Sequence, residues 1–357
     1  MRYVVFGAGQ TGRGFIAPAL AKNNVDITFI DKDKNLVESL QKEKTYTVKY
    51  FGRTEIYTMQ NFHILHVEDE RVLEVLKSAD VIMTSIFASN INQLIPILQK
   101  AELKNTPIIC IENGVNVKQP LVDAKVSAQI AEGIIFCTSI GHNDLSVTSE
   151  YEVQIPIDVN SLQRPLILDG FIMEKKFRNL IQRKIYTYNF ISAVIAYFGS
   201  YKNYDEYADA ANDTTIKEFI QKTLVSLNSL IAKETKIDLQ SQKEFSLQAL
   251  KKFENREIKD SILRNAQQAI RKLGSNERLL SPLKFAKNER HSLSPYICVI
   301  AAAIHYGMKY EDVDSKKVIA DIQNTFQDNK LSEELETKVD LFKTQTPLEK
   351  ILINITY

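Results

Sequence analysis

The N-terminal part of the chain alternates short aliphatic runs with segments whose apolar positions recur at helical spacing. Tyr3 to Phe6, Asp26 to Ile30, Val81 to Ser85 (VIMTS) and Pro107 to Ile111 (PIICI) are apolar at nearly every position. Such runs predict strands buried on both faces. Residues 33–42, Glu68 to Ser78 and Asn90 to Lys100 lie between them and carry the helical pattern. Together they predict an α/β fold built on a doubly wound, mostly parallel sheet. Thr45 to Thr58 alternates polar and apolar residues around Phe51-Gly52-Arg53 and predicts a β-hairpin. Gly133 to Thr138 reads as a further strand, and Tyr151 to Ile157 as an antiparallel strand with one polar face. The polar segment Asp158 to Gly170, with Pro165 inside it, is the expected boundary, giving domains 1–165 and 166–357. From Phe171 onward the pattern is helical. The expected helices are Arg183 to Gly199, Asp205 to Asn212, Ile216 to Glu234, Leu239 to Phe253, Lys259 to Leu273, Ser294 to Tyr306, and others between Lys316 and Asn354.

One of these helices differs from the rest. Arg183 to Gly199 (RKIYTYNFISAVIAYFG) is apolar around its whole circumference, the mark of a helix in the middle of a domain. It nevertheless carries Lys184, Asn189 and Ser192. Asn189 and Ser192 share a face by their i,i+3 spacing, and Lys184 reaches towards it. Burying an amide and an ammonium costs several kcal/mol unless both are paired. Two readings stand: Lys184 snorkels outward while Asn189 bonds a backbone carbonyl, or the three line a polar active-site face.

Composition narrows the classes. The 357 residues are 44% hydrophobic and 25% charged, with a net charge of +1. That is ordinary for a soluble globular protein and gives no basic footprint for nucleic acid. No apolar run is long enough for a bilayer span, and the chain opens directly into a strand, so no membrane association and a cytoplasmic location are expected. Cys110, Cys137 and Cys298 are far apart in apolar surroundings and read as reduced core residues. His63 and His66 lack clustered partners, so no metal site is expected.

The candidate chemistry starts at residue 7. Gly7, Ala8, Gly9, Gln10, Thr11 and Gly12 form G-x-G-x-x-G between a strand and a helix. The glycines allow a tight turn, close approach of a pyrophosphate and close packing of the helix, whose N-terminus favours anions. Asp31 ends the second strand, where an acid accepts adenosine ribose hydroxyls and repels a 2′-phosphate. NAD is therefore the expected cofactor, with Lys32 and Lys34 keeping dual specificity open. Ligands bind beyond the carboxyl ends of such strands. Asn113 stands there, either as a turn-former beside Gly114 or as a ligand contact.

Several strings then resemble the polyol-specific long-chain dehydrogenases across nearly the whole chain. They are FGAGQTGRGFI at Phe6 to Ile16, IEN at Ile111 to Asn113, RKIYTYN at Arg183 to Asn189, AYFG at Ala196 to Gly199, KFEN at Lys252 to Asn255, RKL at Arg271 to Leu273, ERLLSPL at Glu277 to Leu283 and AAAIHY at Ala301 to Tyr306. The resemblance implies a Rossmann domain, a mainly α-helical substrate and catalytic domain, and metal-independent hydride transfer between NAD(H) and a small polyol or sugar phosphate. It also implies a monomer. In that family K-x-x-x-x-N-x-x-H supplies a general acid/base lysine and an asparagine that polarises the reacting oxygen, which fall on Lys184 and Asn189. The histidine position holds Ser192, and GHND replaces D-R-I/V-V-P, putting His142 where an aspartate approaches the substrate. Gln267 replaces an arginine and Ser281 a lysine. Arg271 and Arg278 retain positive charge in the region where the family contacts substrate. His142 has two readings, a catalytic partner of Lys184 or a solvated loop residue. The competing function class is a non-catalytic NAD(H)-binding protein of the same fold.

Overall fold

The computed structural model describes residues 1–151 and 154–357. The chain forms two compact units, Met1–Arg178 and Asn179–Tyr357. In the first, β1 (Arg2–Phe6), β2 (Asp26–Asp31), β3 (Tyr46–Tyr50), β4 (Ile56–Met59), β5 (Phe62–His66), β6 (Val81–Thr84), β7 (Pro107–Cys110) and β8 (Gln129–Glu132) follow in order. Six of them make a parallel sheet in the order β5-β2-β1-β6-β7-β8. Alternate residues of one strand serve opposite cores: Tyr3 and Val5 join one cluster, Val4 and Phe6 the other. Helices α1 (Ala17–Ala21) and α2 (Lys34–Glu43) add to the first cluster. Helices α3 (Val72–Lys77), α4 (Ile95–Ala101) and α5 (Gln119–Asp123) add to the second. Burial on both faces is why these strands are continuous aliphatic runs.

The expected hairpin forms from β3 and β4, antiparallel from Tyr46↔Met59 to Lys49↔Ile56. It extends into a small sheet, β4-β3-β10-β9, with β9 (Ser139–Gly141) and β10 (Val147–Ser149). Three expectations are corrected. Gly133 to Thr138 is not a strand: the ladder runs through β8 and ends where Cys110 pairs with Glu132, and Gly133 makes only an isolated bridge to Ile157. Of the strand expected over Tyr151 to Ile157, Glu152 and Val153 lie outside the described residues. Its described part is β11 (Ile155–Asp158), which pairs in parallel, not antiparallel, with β12 (Phe171–Glu174). Phe171 therefore opens a strand and not a helix. The sheet strands β5 and β8 and helix α5 had no expectation.

The second unit is helical: α6 (Phe177–Arg183), α7 (Asn189–Tyr201), α8 (Tyr207–Ala211), α9 (Thr214–Thr235), α10 (Leu239–Glu254), α11 (Ile262–Ala266), α12 (Ala269–Lys272), α13 (Leu280–Asn288), α14 (Ser294–Tyr310), α15 (Ser315–Phe326), α16 (Asn329–Lys343) and α17 (Leu348–Leu352). Helix α7 packs on α14 through Phe190 against Tyr296 and Tyr197 against Tyr306, ring centroids 5.8 and 5.6 Å apart. Asp213 and Asp238 cap α9 and α10 by accepting from Ile216 and Ser241 N–H. The single helix expected over Lys259 to Leu273 is two, broken at Gln268 with φ +61°. No helix among the described residues is long and apolar enough to cross a membrane.

Candidate active site

The glycine turn leaves β1 and enters a π-helical segment, Gly12–Ile16, before α1. Gly7 has φ +98°, and a Cβ there would lie 2.4 Å from Ser85 O. A Cβ on Gly12 would lie 2.1 Å from Gly7 O. A Cβ on Gly9 would meet no protein atom within 4 Å, so its backbone faces open space where a phosphate fits. Asp31 Oδ2 accepts from Ala8 N–H at 2.6 Å and Oδ1 from Asp33 N–H at 2.9 Å, which fixes the acid beside the turn. Gln10 Oε1 accepts from Gly141 N–H at 3.1 Å, while buried Arg13 donates to Ala8 O at 2.7 Å and to Leu145 O. Thr11 is half-buried at the start of the helical turn. The sequence pattern carried no sign that the β9–β10 connection braces the glycine turn.

That connection carries His142. The imidazole is exposed, and its Nε2 bonds Thr148 Oγ1 at 2.8 Å within the same hairpin. Asn113 is exposed just beyond β7. Its neighbour Glu112, which the sequence places at the same strand end, is buried.

In the second unit Lys184 and Asn189 are brought onto one turn by a feature the 3.6-residue period conceals. Lys184–Tyr188 is a π-helical segment, and Asn189 N–H donates to Lys184 O. A π turn closes its hydrogen bond over five residues, so positions five apart, splayed on an α-helix, lie closer to one side. Both residues are 8% exposed, so neither lies on an open surface of the helix. Buried polar groups back the turn. Gln242 Nε2 donates to Thr187 Oγ1 at 2.8 Å and to Asn228 Oδ1 at 3.3 Å, and Gln242 Oε1 accepts from Arg183 Nε at 3.1 Å. Ser192 is half-buried, and its carbonyl accepts from Tyr207 Oη at 3.4 Å.

Arg271 and Arg278 share Glu277, which accepts from Arg271 Nη1 at 2.9 Å and from Arg278 Nε at 3.3 Å. Arg271 is exposed, whereas Arg278 is 6% exposed and its Nη2 is buried with no hydrogen-bond partner among the described residues. The Tyr197 hydroxyl is likewise buried and unpartnered. Lys272, which the sequence places among the cations of this region, is buried with its ammonium 5.6 Å from the Tyr197 ring centroid. Burial, then Arg278 and Arg271, push its pKa down to about 7. Ser281 donates to Ser275 O at 3.2 Å. A cavity of about 390 Å³ lined by Tyr197, Tyr201, Lys202, His305, Tyr306 and Lys309 omits Lys184, Asn189 and Ser192.

Comparisons with known proteins are consistent over both units. The mannitol dehydrogenase Rossmann domain model matches residues 1–140, and the mannitol dehydrogenase C-terminal domain model matches residues 176–351. Mannitol-1-phosphate 5-dehydrogenase of Thermoanaerobacter pseudethanolicus is 26% identical, covering 91% of this chain and 90% of its own. The enzyme of the same name from Mycoplasmopsis pulmonis is 29% identical over 97% and 96%. Among solved structures, Pseudomonas fluorescens mannitol 2-dehydrogenase, in a ternary complex with NAD and D-mannitol, shares the fold with a TM-score of 0.81 at 11% identity. That alignment covers 99% of this chain and 95% of that one. The chain belongs to the mannitol dehydrogenase family.

Proposed function

We propose that the chain is an NAD-dependent oxidoreductase that transfers hydride between NAD(H) and a polyol or sugar phosphate and its ketose form, with Lys184 as general acid/base. The observation that carries this reading is the π turn that runs from buried Lys184 to buried Asn189. NAD supplies the hydride acceptor in oxidation and the hydride donor in reduction. Lys184 takes the proton of the substrate hydroxyl in oxidation and returns it to the oxygen in reduction. Asn189 and Asn113 donate hydrogen bonds to that oxygen as negative charge grows on it. His142 serves the substrate through Nδ1, the nitrogen not engaged with Thr148. Gly7, Ala8, Gly9, Gln10, Thr11 and Gly12 hold the pyrophosphate and Asp31 the adenosine ribose.

Arg278, Arg271 and Ser192 hold the rest of the substrate. Support for an anionic group comes from Arg278 Nη2 and the Tyr197 hydroxyl, two buried donors without partners beside a buried lysine. Buried donors are rarely left unmade, and a phosphate would accept from them. The test follows NADH oxidation with ketoses and ketose phosphates. Ketose phosphates are expected to exceed the parent ketoses in kcat/KM by about tenfold or more. Equal values would remove the phosphate. Tight NADH binding without turnover on either class would leave a non-catalytic NAD(H)-binding protein.

A further inference from the structure

Glu112 is a buried acid that none of the proposed catalytic roles uses. It stands one residue beyond Ile111, whose N–H donates to Thr84 O at 3.1 Å and so carries the β6–β7 ladder past its last strand pair. From there Glu112 Oε1 accepts from the Ile86 N–H at 3.2 Å. Ile86 belongs to the segment leaving β6, and Ser85 N–H donates to Phe6 O at 2.8 Å. Ser85 O is also the atom that forbids a side chain on Gly7. The sheet order turns between β1 and β6, and ligands of such sheets bind in the crevice at that switch. The Ser85–Ile86 backbone thus forms one wall at the switch point, and Glu112 supports it from inside.

Glu112 is 4% exposed, and its Oε2, like Thr84 Oγ1, is buried without a well-formed hydrogen bond. We propose that Glu112 is a positioning residue for the nicotinamide side of the cofactor site, holding the β6 exit through the Ile86 amide and placing one titratable charge beneath that side. The proposal rests on the reading of the glycine turn as an NAD site.

Burial pushes the Glu112 pKa up to about 7, offset in part by the Thr84 hydroxyl and the Ile86 amide. The other ionisable groups bearing on this corner are Cys110 on the same strand and Glu132, with Lys118 and Asp158 beyond it. Cys110 stays a thiol because its own pKa is pushed above the range in question. Below about pH 7 Glu112 is therefore the neutral acid, and above it a carboxylate. A carboxylate close to the ring favours the cationic, oxidised nicotinamide over the reduced one.

The experiment titrates NAD⁺ and NADH separately into wild type, E112Q and E112A from about pH 6 to about pH 8.5. E112Q keeps an oxygen for the Ile86 amide and is expected to bind NADH within about twofold of wild type. E112A leaves that amide unmade and is expected to weaken NADH by about tenfold or more. In wild type the NAD⁺ to NADH affinity ratio is expected to rise about threefold or more through pH 7, and to stay flat in E112Q. A merely structural role would not move that ratio, and the wild-type arm requires no variant to fold. A flat ratio in wild type, or E112A binding NADH as tightly as wild type, overturns the proposal. Wild type that binds neither nucleotide overturns the NAD reading with it, an outcome distinct from loss confined to Glu112.

Discussion

Asp31, the proposed ribose acceptor, also holds the glycine turn. Its oxygens already accept from Ala8 and Asp33 N–H, yet a carboxylate has about four acceptor positions, so ribose hydroxyls still find sites on it. Its charge opposes a 2′-phosphate at short range. Lys32 and Lys34 flank it but are exposed, and Lys34 lies 3.9 Å from Glu38. Exposed lysines are screened and mobile, so they offset the repulsion poorly. Wild type is therefore expected to bind NADH about tenfold or more tightly than NADPH, and Asp31→Asn to shrink that gap to about twofold. Fluorescence titration of both nucleotides at one ionic strength measures it. Equal or tighter NADPH binding by wild type would mean that the lysines have taken over the site.

At the scale of elements, what was legible in the sequence follows from how local the cause is. Strands β1, β2, β6 and β7 were readable because burial on both faces writes itself into every residue. Edge strand β5 was not, since His63 and His66 break its apolar run. The polar network behind the Lys184 segment was hidden because its members come from three helical segments, and a single π turn is too short to change a hydrophobic period. The break at Gln268 is equally non-local. No glycine or proline marks it, and the amides of Gln268 and Ala269 are held by the Glu311 carboxylate 43 and 42 residues away. That break starts α12 afresh and sets Lys272 in a buried site that a continuous helix face did not foretell. It also yields a pH prediction. The Lys272 pKa lies well below that of a free lysine, so its charge is present below about pH 7 and lost above it. If it helps hold an anionic group, kcat/KM for a ketose phosphate falls as pH rises through 7, whereas an unphosphorylated ketose shows no such limb. Lys272→Met should flatten the profile. A limb that persists in the variant assigns it to another group.

Across the whole molecule the proposed tasks are divided along the chain. The glycine turn and Asp31 belong to the unit Met1–Arg178, and Lys184 with Asn189 to the unit Asn179–Tyr357. Each set is fixed by contacts within its own unit: the first by the Gln10, Arg13 and Asp31 bonds, the second by the π turn and the network around Gln242. Cofactor binding and turnover should accordingly be separable by mutation. Lys184→Met keeps the aliphatic stem and removes the ammonium, so packing along the buried helix survives. Removing one member of a buried polar contact carries its own stability cost, so stability is read beside binding and rate. The variant is expected to fold with a lowered melting temperature and to bind NADH within about twofold. Its kcat is expected to fall by about a hundredfold to ten-thousandfold, the usual contribution of a positioned acid/base. Stopped-flow NADH oxidation at saturating substrate, with NADH titration and a thermal melt on the same preparation, reads all three. Turnover that survives in Lys184→Met would remove this lysine from the chemistry. A fall in NADH affinity to match the fall in rate would mean that the division of tasks between the units is wrong.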